Sequence, residues 1–128
     1  MPQIAIRMRK ILVVDDDREI VGLIKKRLET HGYAVVTAFD GNEGIAKVHA
    51  ESPDLILLDM VMPNKDGLTM FRQLKNDEAT RTIPVIMLTA KGETSAVLEA
   101  QKFGVTEYFI KPCEWDDLLK CIKTYLGD

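Results

Sequence analysis

The sequence of 128 residues lacks four features that would each define a class of protein. No apolar run approaches the ~20 residues of a membrane-spanning helix, and the N-terminus lacks the apolar core of a signal peptide. A total of 17 Lys and Arg against 20 Asp and Glu gives a net charge of -3, which argues against direct nucleic-acid binding. Cys113 and Cys121 have neither metal-ligand spacing nor the density of a disulfide scaffold. We therefore expect a cytoplasmic protein that binds neither membranes nor nucleic acids.

Short apolar runs alternate with stretches of helical periodicity five times along the chain. The runs predict strands at 10–14, 34–38, 55–58, 85–88 and 106–110. Right-handed crossovers then favour a doubly wound α/β fold, a parallel sheet with helices on both faces. The length suits one domain, which we place at 10–128 after a short flexible extension at 1–9.

Polar side chains stand where four of these strands end: Asp15 and Asp16, Asp59, Thr89, and Lys111. In open parallel sheets the carboxyl ends of the strands meet at one edge, and ligands bind in the crevice outside it. Crowded carboxylates repel one another, and a divalent cation relieves that repulsion. Oxygen ligands without His or Cys favour Mg²⁺ over zinc.

A Lys ammonium and a Thr hydroxyl at the same edge suit a phosphoryl group, which needs charge neutralisation and hydrogen bonds. Asp59 is then the candidate nucleophile for an aspartyl phosphate. Two nearby acids have simpler interpretations, Asp17 as a helix N-cap and Asp66 as a turn residue before Gly67. Asn42 is a candidate cap of the second helix.

Four segments in order resemble the response-regulator receiver domains of two-component signalling. They are Ile-Leu-Val-Val-Asp-Asp at 11–16, Leu-Leu-Asp-Met-Val-Met-Pro at 57–63, Leu-Thr-Ala at 88–90 and Ile-Lys-Pro at 110–112. The resemblance extends from Lys10 to about Leu126. It implies a flavodoxin-like five-stranded sheet in the order 2-1-3-4-5.

The resemblance also implies a role for individual residues. It makes Asp59 the phosphoacceptor, Asp15 and Asp16 the acids of a Mg²⁺ site, and Tyr108 the aromatic residue that switches. It further implies a metal-ligating carbonyl at Val61, phosphoryl contacts from Thr89 and Lys111, and a cis Lys111–Pro112 bond.

Two further residues bear on the lifetime of the phosphoryl group. In receivers, the approach of hydrolytic water is lined by the residues two beyond the phosphoacceptor and two beyond the Thr, here Val61 and Lys91. Val61 offers no side-chain hydrogen bond to a water, and Lys91 is a donor only. We therefore expect a long-lived phosphoaspartate. Cys113 and Phe103 depart from the usual pattern of the family, and we expect both to touch the switching surface.

The resemblance implies a stand-alone receiver that takes its phosphoryl group from a histidine kinase or histidine phosphotransfer protein and then contacts a downstream target protein. It would not be an enzyme beyond promoting its own phosphotransfer and dephosphorylation. One alternative is a receiver-like interaction module that is never phosphorylated. A flavodoxin-like cofactor carrier is disfavoured, because Asp15, Asp16 and Asp17 stand where a loop must cradle a phosphate.

Overall fold

A computed structural model of the chain describes residues 8–60, 62, 66–90 and 94–127. Strands and helices alternate in it as the sequence predicts. The order is β1 (Lys10–Val14), α1 (Arg18–Thr30), β2 (Ala34–Ala38), α2 (Gly41–Glu51), β3 (Leu55–Asp59), α3 (Gly67–Lys75), β4 (Val85–Ala90), α4 (Thr94–Lys102), β5 (Glu107–Lys111) and α5 (Trp115–Leu126).

The five strands form one parallel sheet in the order β2-β1-β3-β4-β5, as predicted. β5 lies one residue later than predicted. Thr106 precedes it and accepts a hydrogen bond from the Val85 N–H through its Oγ1 at 2.9 Å, while Lys111 pairs with Ala90 in the ladder. The last residues of β3, β4 and β5 therefore lie at the same edge of the sheet.

Each face of the sheet carries its own hydrophobic cluster. One face packs against α2, α3 and α4 and includes Met70, Phe71 and Met87. The other packs against α1 and α5 and includes Leu28 and Ile122. The central strands β1 and β3 are buried along nearly their whole length, as expected for strands covered on both faces.

Aspartates cap the first three helices. Asp17 accepts from the N–H groups of Glu19 and Ile20, and Asp66 accepts from the Thr69 N–H at 2.8 Å. Asp17 therefore satisfies two, and Asp66 one, of the N–H groups that lack a partner within the helix at its start. The assignment of Asn42 as cap of α2 is wrong. Asp40 takes that role, accepting from the Glu43 N–H at 2.8 Å.

No helix in the described part of the chain is long and apolar enough to span a bilayer. Residues 1–7 lie outside that part, so the separation of an N-terminal extension at 1–9 from the domain at 10–128 stays a prediction.

Candidate functional site

Two carboxylates of the site are held by the buried centre of the sheet. Asp15 directly follows β1 and is only 2% exposed, and its own N–H donates to the Ala38 carbonyl at 3.1 Å. Its Oδ1 accepts from the Asp17 N–H at 3.0 Å. Asp59 ends β3 and is also buried. Both acids are therefore fixed by backbone that cannot move without disturbing the core.

Asp16 completes an acidic group at this edge. One carboxylate oxygen from each of Asp15, Asp16 and Asp59 lies within 4.8 Å of the others. Ligand oxygens on opposite sides of a Mg²⁺ ion are about 4 Å apart, so small side-chain rotations would let these three share one ion. Asp16 is exposed, which leaves room for the waters that Mg²⁺ retains. The donor set fits a small, hard cation.

The Lys111 ammonium bridges the two buried acids. Its Nζ lies 3.1 Å from Asp15 Oδ2 and 3.2 Å from Asp59 Oδ1. Burial alone would lower the pKa of the Lys111 ammonium, but the neighbouring carboxylates of Asp59 and Asp15 outweigh it and the pKa is raised. Lys111 is therefore a fixed positive charge at the site throughout the neutral range.

Thr89 lies beside this group on β4 and is 1% exposed. Its hydroxyl donates to the Ala90 carbonyl at 3.3 Å, a long bond that a better acceptor could replace. The ladder pairs Thr89 with Ile110 and Met87 with Tyr108, so these four side chains point to one face of the sheet. Tyr108 is half-buried there against the cluster that includes Met87 and Phe103.

Other predicted positions fall in three groups. Val61 and Lys91 lie outside the described residues, so their predicted roles are neither confirmed nor contradicted. The Lys111–Pro112 bond is cis, as expected.

Phe103 packs between α3 and α4. The Cζ atom of the Arg72 guanidinium lies 5.1 Å from the centroid of the Phe103 ring.

Cys113 lies in the connection between β5 and α5. It lines an apolar cavity of about 480 Å³ together with Ile20, Leu23 and Trp115, between α1 and the start of α5. Burial raises the pKa of the Cys113 thiol, so it is a weak nucleophile.

Sequence reasoning missed the close approach of Gly67 to the site. This residue begins α3, and its backbone lies directly against the peptide that carries Asp59. The Asp66-Gly67 pair signals a turn in the sequence, but no sequence signal identifies which backbone that turn approaches.

Comparison with known proteins agrees with this geometry. Residues 11–123 match the model of the response regulator receiver domain. The chain therefore belongs to the response regulator receiver family, whose members act in two-component signalling, use Mg²⁺ at an acidic pocket and are generally non-catalytic signalling modules.

Individual relatives differ in how much of their length the chain covers. It is 39% identical over 119 residues to the transcriptional regulator RpaA of Synechocystis, covering 93% of the chain but 49% of that protein. It is 37% identical over 120 residues to PilH of Pseudomonas aeruginosa, covering 94% of the chain and 99% of that protein. A chemotaxis protein from Vibrio cholerae has the same fold, with a TM-score of 0.85 at 30% identity over 93% of this chain and 99% of that one.

Proposed function

We propose that this receiver accepts a phosphoryl group on Asp59 from a phosphohistidine donor, with Mg²⁺ bound by Asp15, Asp16 and Asp59. An Asp59 carboxylate oxygen attacks phosphorus and the bond from phosphorus to the donor imidazole nitrogen breaks. The donor histidine, whose other ring nitrogen carries a proton, leaves as the neutral imidazole. The ion, when bound, neutralises charge on the phosphoryl oxygens. The Val61 carbonyl is proposed as a further ligand of that ion.

The observation that carries this proposal is the position of Lys111. A cation bridging Asp15 and Asp59 at 3.1 and 3.2 Å supplies positive charge next to the proposed nucleophile, where a transferred phosphoryl group would need it. The buried Thr89 hydroxyl offers a hydrogen bond on the same side. A site used only for protein contact would have no need to bury two acids and a hydroxyl around a lysine.

The proposal is tested by incubating the chain with Mg²⁺ and phosphoramidate. We expect the wild type to gain one phosphoryl mass and Asp59→Asn to gain none, because the amide is not a nucleophile. Asp17→Asn is the matched control, since Asp17 caps α1 and Asn caps equally well. Equal labelling of wild type and Asp59→Asn would remove the proposal.

Two measurements distinguish the alternative functions: the same labelling and the absorbance of the purified protein. A receiver-like interaction module that is never phosphorylated would remain unlabelled in the wild type as well. A flavodoxin-like cofactor carrier would purify with flavin absorbance. We place both below phosphotransfer, because neither gives a role to Lys111 between the two carboxylates.

We also propose that the acyl phosphate is long-lived, because Val61 and Lys91 do not aim a water at phosphorus. Val61→Asn should speed the loss of phosphate from Asp59, since an amide can hydrogen-bond the attacking water. The measurement is the decay of label after the donor is removed, at constant Mg²⁺. Decay at the wild-type rate would show that Val61 does not set the lifetime.

The partners follow from the same proposal. A histidine kinase or a histidine phosphotransfer protein would supply the phosphoryl group, and a downstream target protein would read the changed surface. Direct contact with nucleic acid or membrane is not proposed, and the cytoplasmic location stays a prediction.

A further inference from the structure

The start of α3 lies unusually close to the backbone that carries the phosphoacceptor. A Cβ built on Gly67 would overlap the carbonyl oxygen of Asp59 and lie 2.8 Å from the Met60 Cα. The Gly67 N–H also donates to the Met60 carbonyl at 2.9 Å. The first residue of α3 is therefore pressed against the Asp59–Met60 peptide and hydrogen-bonded to the carbonyl that follows it.

Space, and not backbone conformation, requires glycine here. Among the described residues the glycines with positive φ are Gly32, Gly104 and Gly127, so Gly67 has a φ that other residues adopt freely. Gly44 shows a different kind of crowding, because a Cβ there would meet the flexible end of the Met70 side chain at 2.8 Å. A side chain can rotate away from an added methyl group, whereas the Asp59 carbonyl can make room only if the backbone itself shifts.

We propose that Gly67 is a positioning residue for phosphoryl transfer, a role that rests on the proposed function. The carboxylate of Asp59 and the crowded carbonyl belong to the same residue, so a backbone shift that makes room for a side chain also moves the nucleophile. Lys111 lies only 3.2 Å from that carboxylate, and a misplacement of about 1 Å at a reacting group can cost on the order of a hundredfold in rate.

The test compares Gly67→Ala with two controls under Mg²⁺ and phosphoramidate. Gly44→Ala adds the same methyl group in a buried place, and Leu74→Ala destabilises the far end of the same helix, where Leu74 is 2% exposed. We expect labelling of Gly67→Ala to slow at least about tenfold, while both controls are labelled at nearly the wild-type rate. All variants are compared under conditions where circular dichroism shows that they are folded. Labelling of Gly67→Ala at the rate of the wild type or of Leu74→Ala would overturn the proposal.

A measurement on the wild type covers the case in which Gly67→Ala does not fold. If the close contact is needed for the loaded state, binding of Mg²⁺ and beryllofluoride, a phosphoryl analogue, must make opening of the Gly67–Met60 hydrogen bond rarer. Hydrogen exchange of the Gly67 N–H should then slow at least about tenfold at saturating analogue, and by more than that of the Ser52 N–H, which bonds to Val48 at 3.0 Å.

Equal slowing at both amides would overturn the role of Gly67. The two proposals fail in different ways. If the wild type takes up no label, both fall, whereas a labelled wild type beside an equally fast Gly67→Ala removes only the role of Gly67.

Discussion

The centre and the edge of the sheet contribute differently to the site. The central strands β1 and β3 lead into Asp15 and Asp59, and their apolar residues are at most 1% exposed. The edge strand β5 carries Tyr108 and Lys111 and is only partly buried along its length, with Ile110 at 53% exposure. The acids therefore stand on the most tightly packed part of the fold, and the cation and the aromatic residue stand on the least covered part.

This difference suits a site in which the acidic residues keep a fixed geometry while side chains on the edge strand change position. Nucleophile and metal acids need fixed geometry, and a buried strand provides it because close packing resists displacement. An edge strand has a neighbour on one side only, so its side chains can change position at lower cost. The switching proposed for Tyr108 belongs to that part of the sheet.

The largest expected effect is on the free energy of unfolding, when an isoleucine is shortened to alanine in the central strand β3 and, for comparison, in the edge strand β5. Ile56→Ala in β3 removes atoms that are 0% exposed and should cost about 4 kcal/mol of unfolding free energy through lost burial and a cavity. Ile110→Ala in β5 should cost less than about 1 kcal/mol, because the side chain is largely solvated. Urea unfolding of both variants checks this, and comparable losses would break the contrast between centre and edge.

The sequence predicted this arrangement well where it rests on local pattern. Each of the strands β1, β3 and β4 is an apolar run ending on polar residues, and that pattern located Asp59, Thr89 and the acidic pair. It failed where two neighbours compete for one role, as with Asp40 and Asn42 at the start of α2.

A second test concerns the coupling between the two regions, which we propose runs from Thr89 to Tyr108. On phosphorylation the Thr89 hydroxyl would exchange its 3.3 Å bond to Ala90 for a charged phosphoryl oxygen, and the space it leaves would admit the Tyr108 ring. Thr89→Ala should still be phosphorylated. It should, however, lose most of the change in amide chemical shift that the wild type shows at Tyr108 and Ile110.

Thr89→Ser keeps the hydroxyl and serves as the control. The comparison is made by amide NMR with Mg²⁺ and beryllofluoride. Identical shift changes in wild type and Thr89→Ala would show that the edge strand does not respond through Thr89.

Contacts between residues far apart in sequence are the part that pattern alone could not supply. Lys111 and Asp15 are 96 positions apart, and only the sheet order brings them within hydrogen-bonding distance. The close approach of Gly67 to Asp59 is of the same kind, since it depends on where a turn lies in space. The resemblance to a family named the residues of the site, but their distances come from the fold.

The smallest expected effect is the stabilisation that Lys111 gives to the folded chain. Its pKa is raised in the folded state, so the folded protein holds this proton more tightly than the unfolded chain does. The stabilisation is therefore complete below the unfolded pKa of about 10.4 and is lost as pH rises through the folded-state value. Because 31% of the side chain is exposed, solvent screening limits the contribution to about 1 kcal/mol or less.

The prediction is tested with Lys111→Met, which keeps the length of the side chain without its charge. The difference in unfolding free energy between wild type and variant should stay constant from about pH 7 to 9.5 and shrink above about pH 10.5, because only the wild type has this proton to lose. Urea unfolding without Mg²⁺ at matched ionic strength gives the difference, in which the titration of the other lysines cancels. If this difference in unfolding free energy instead grows with rising pH, Asp15 and Asp59 do not stabilise the charged form of Lys111. Packing alone would then connect the edge strand to the centre of the sheet.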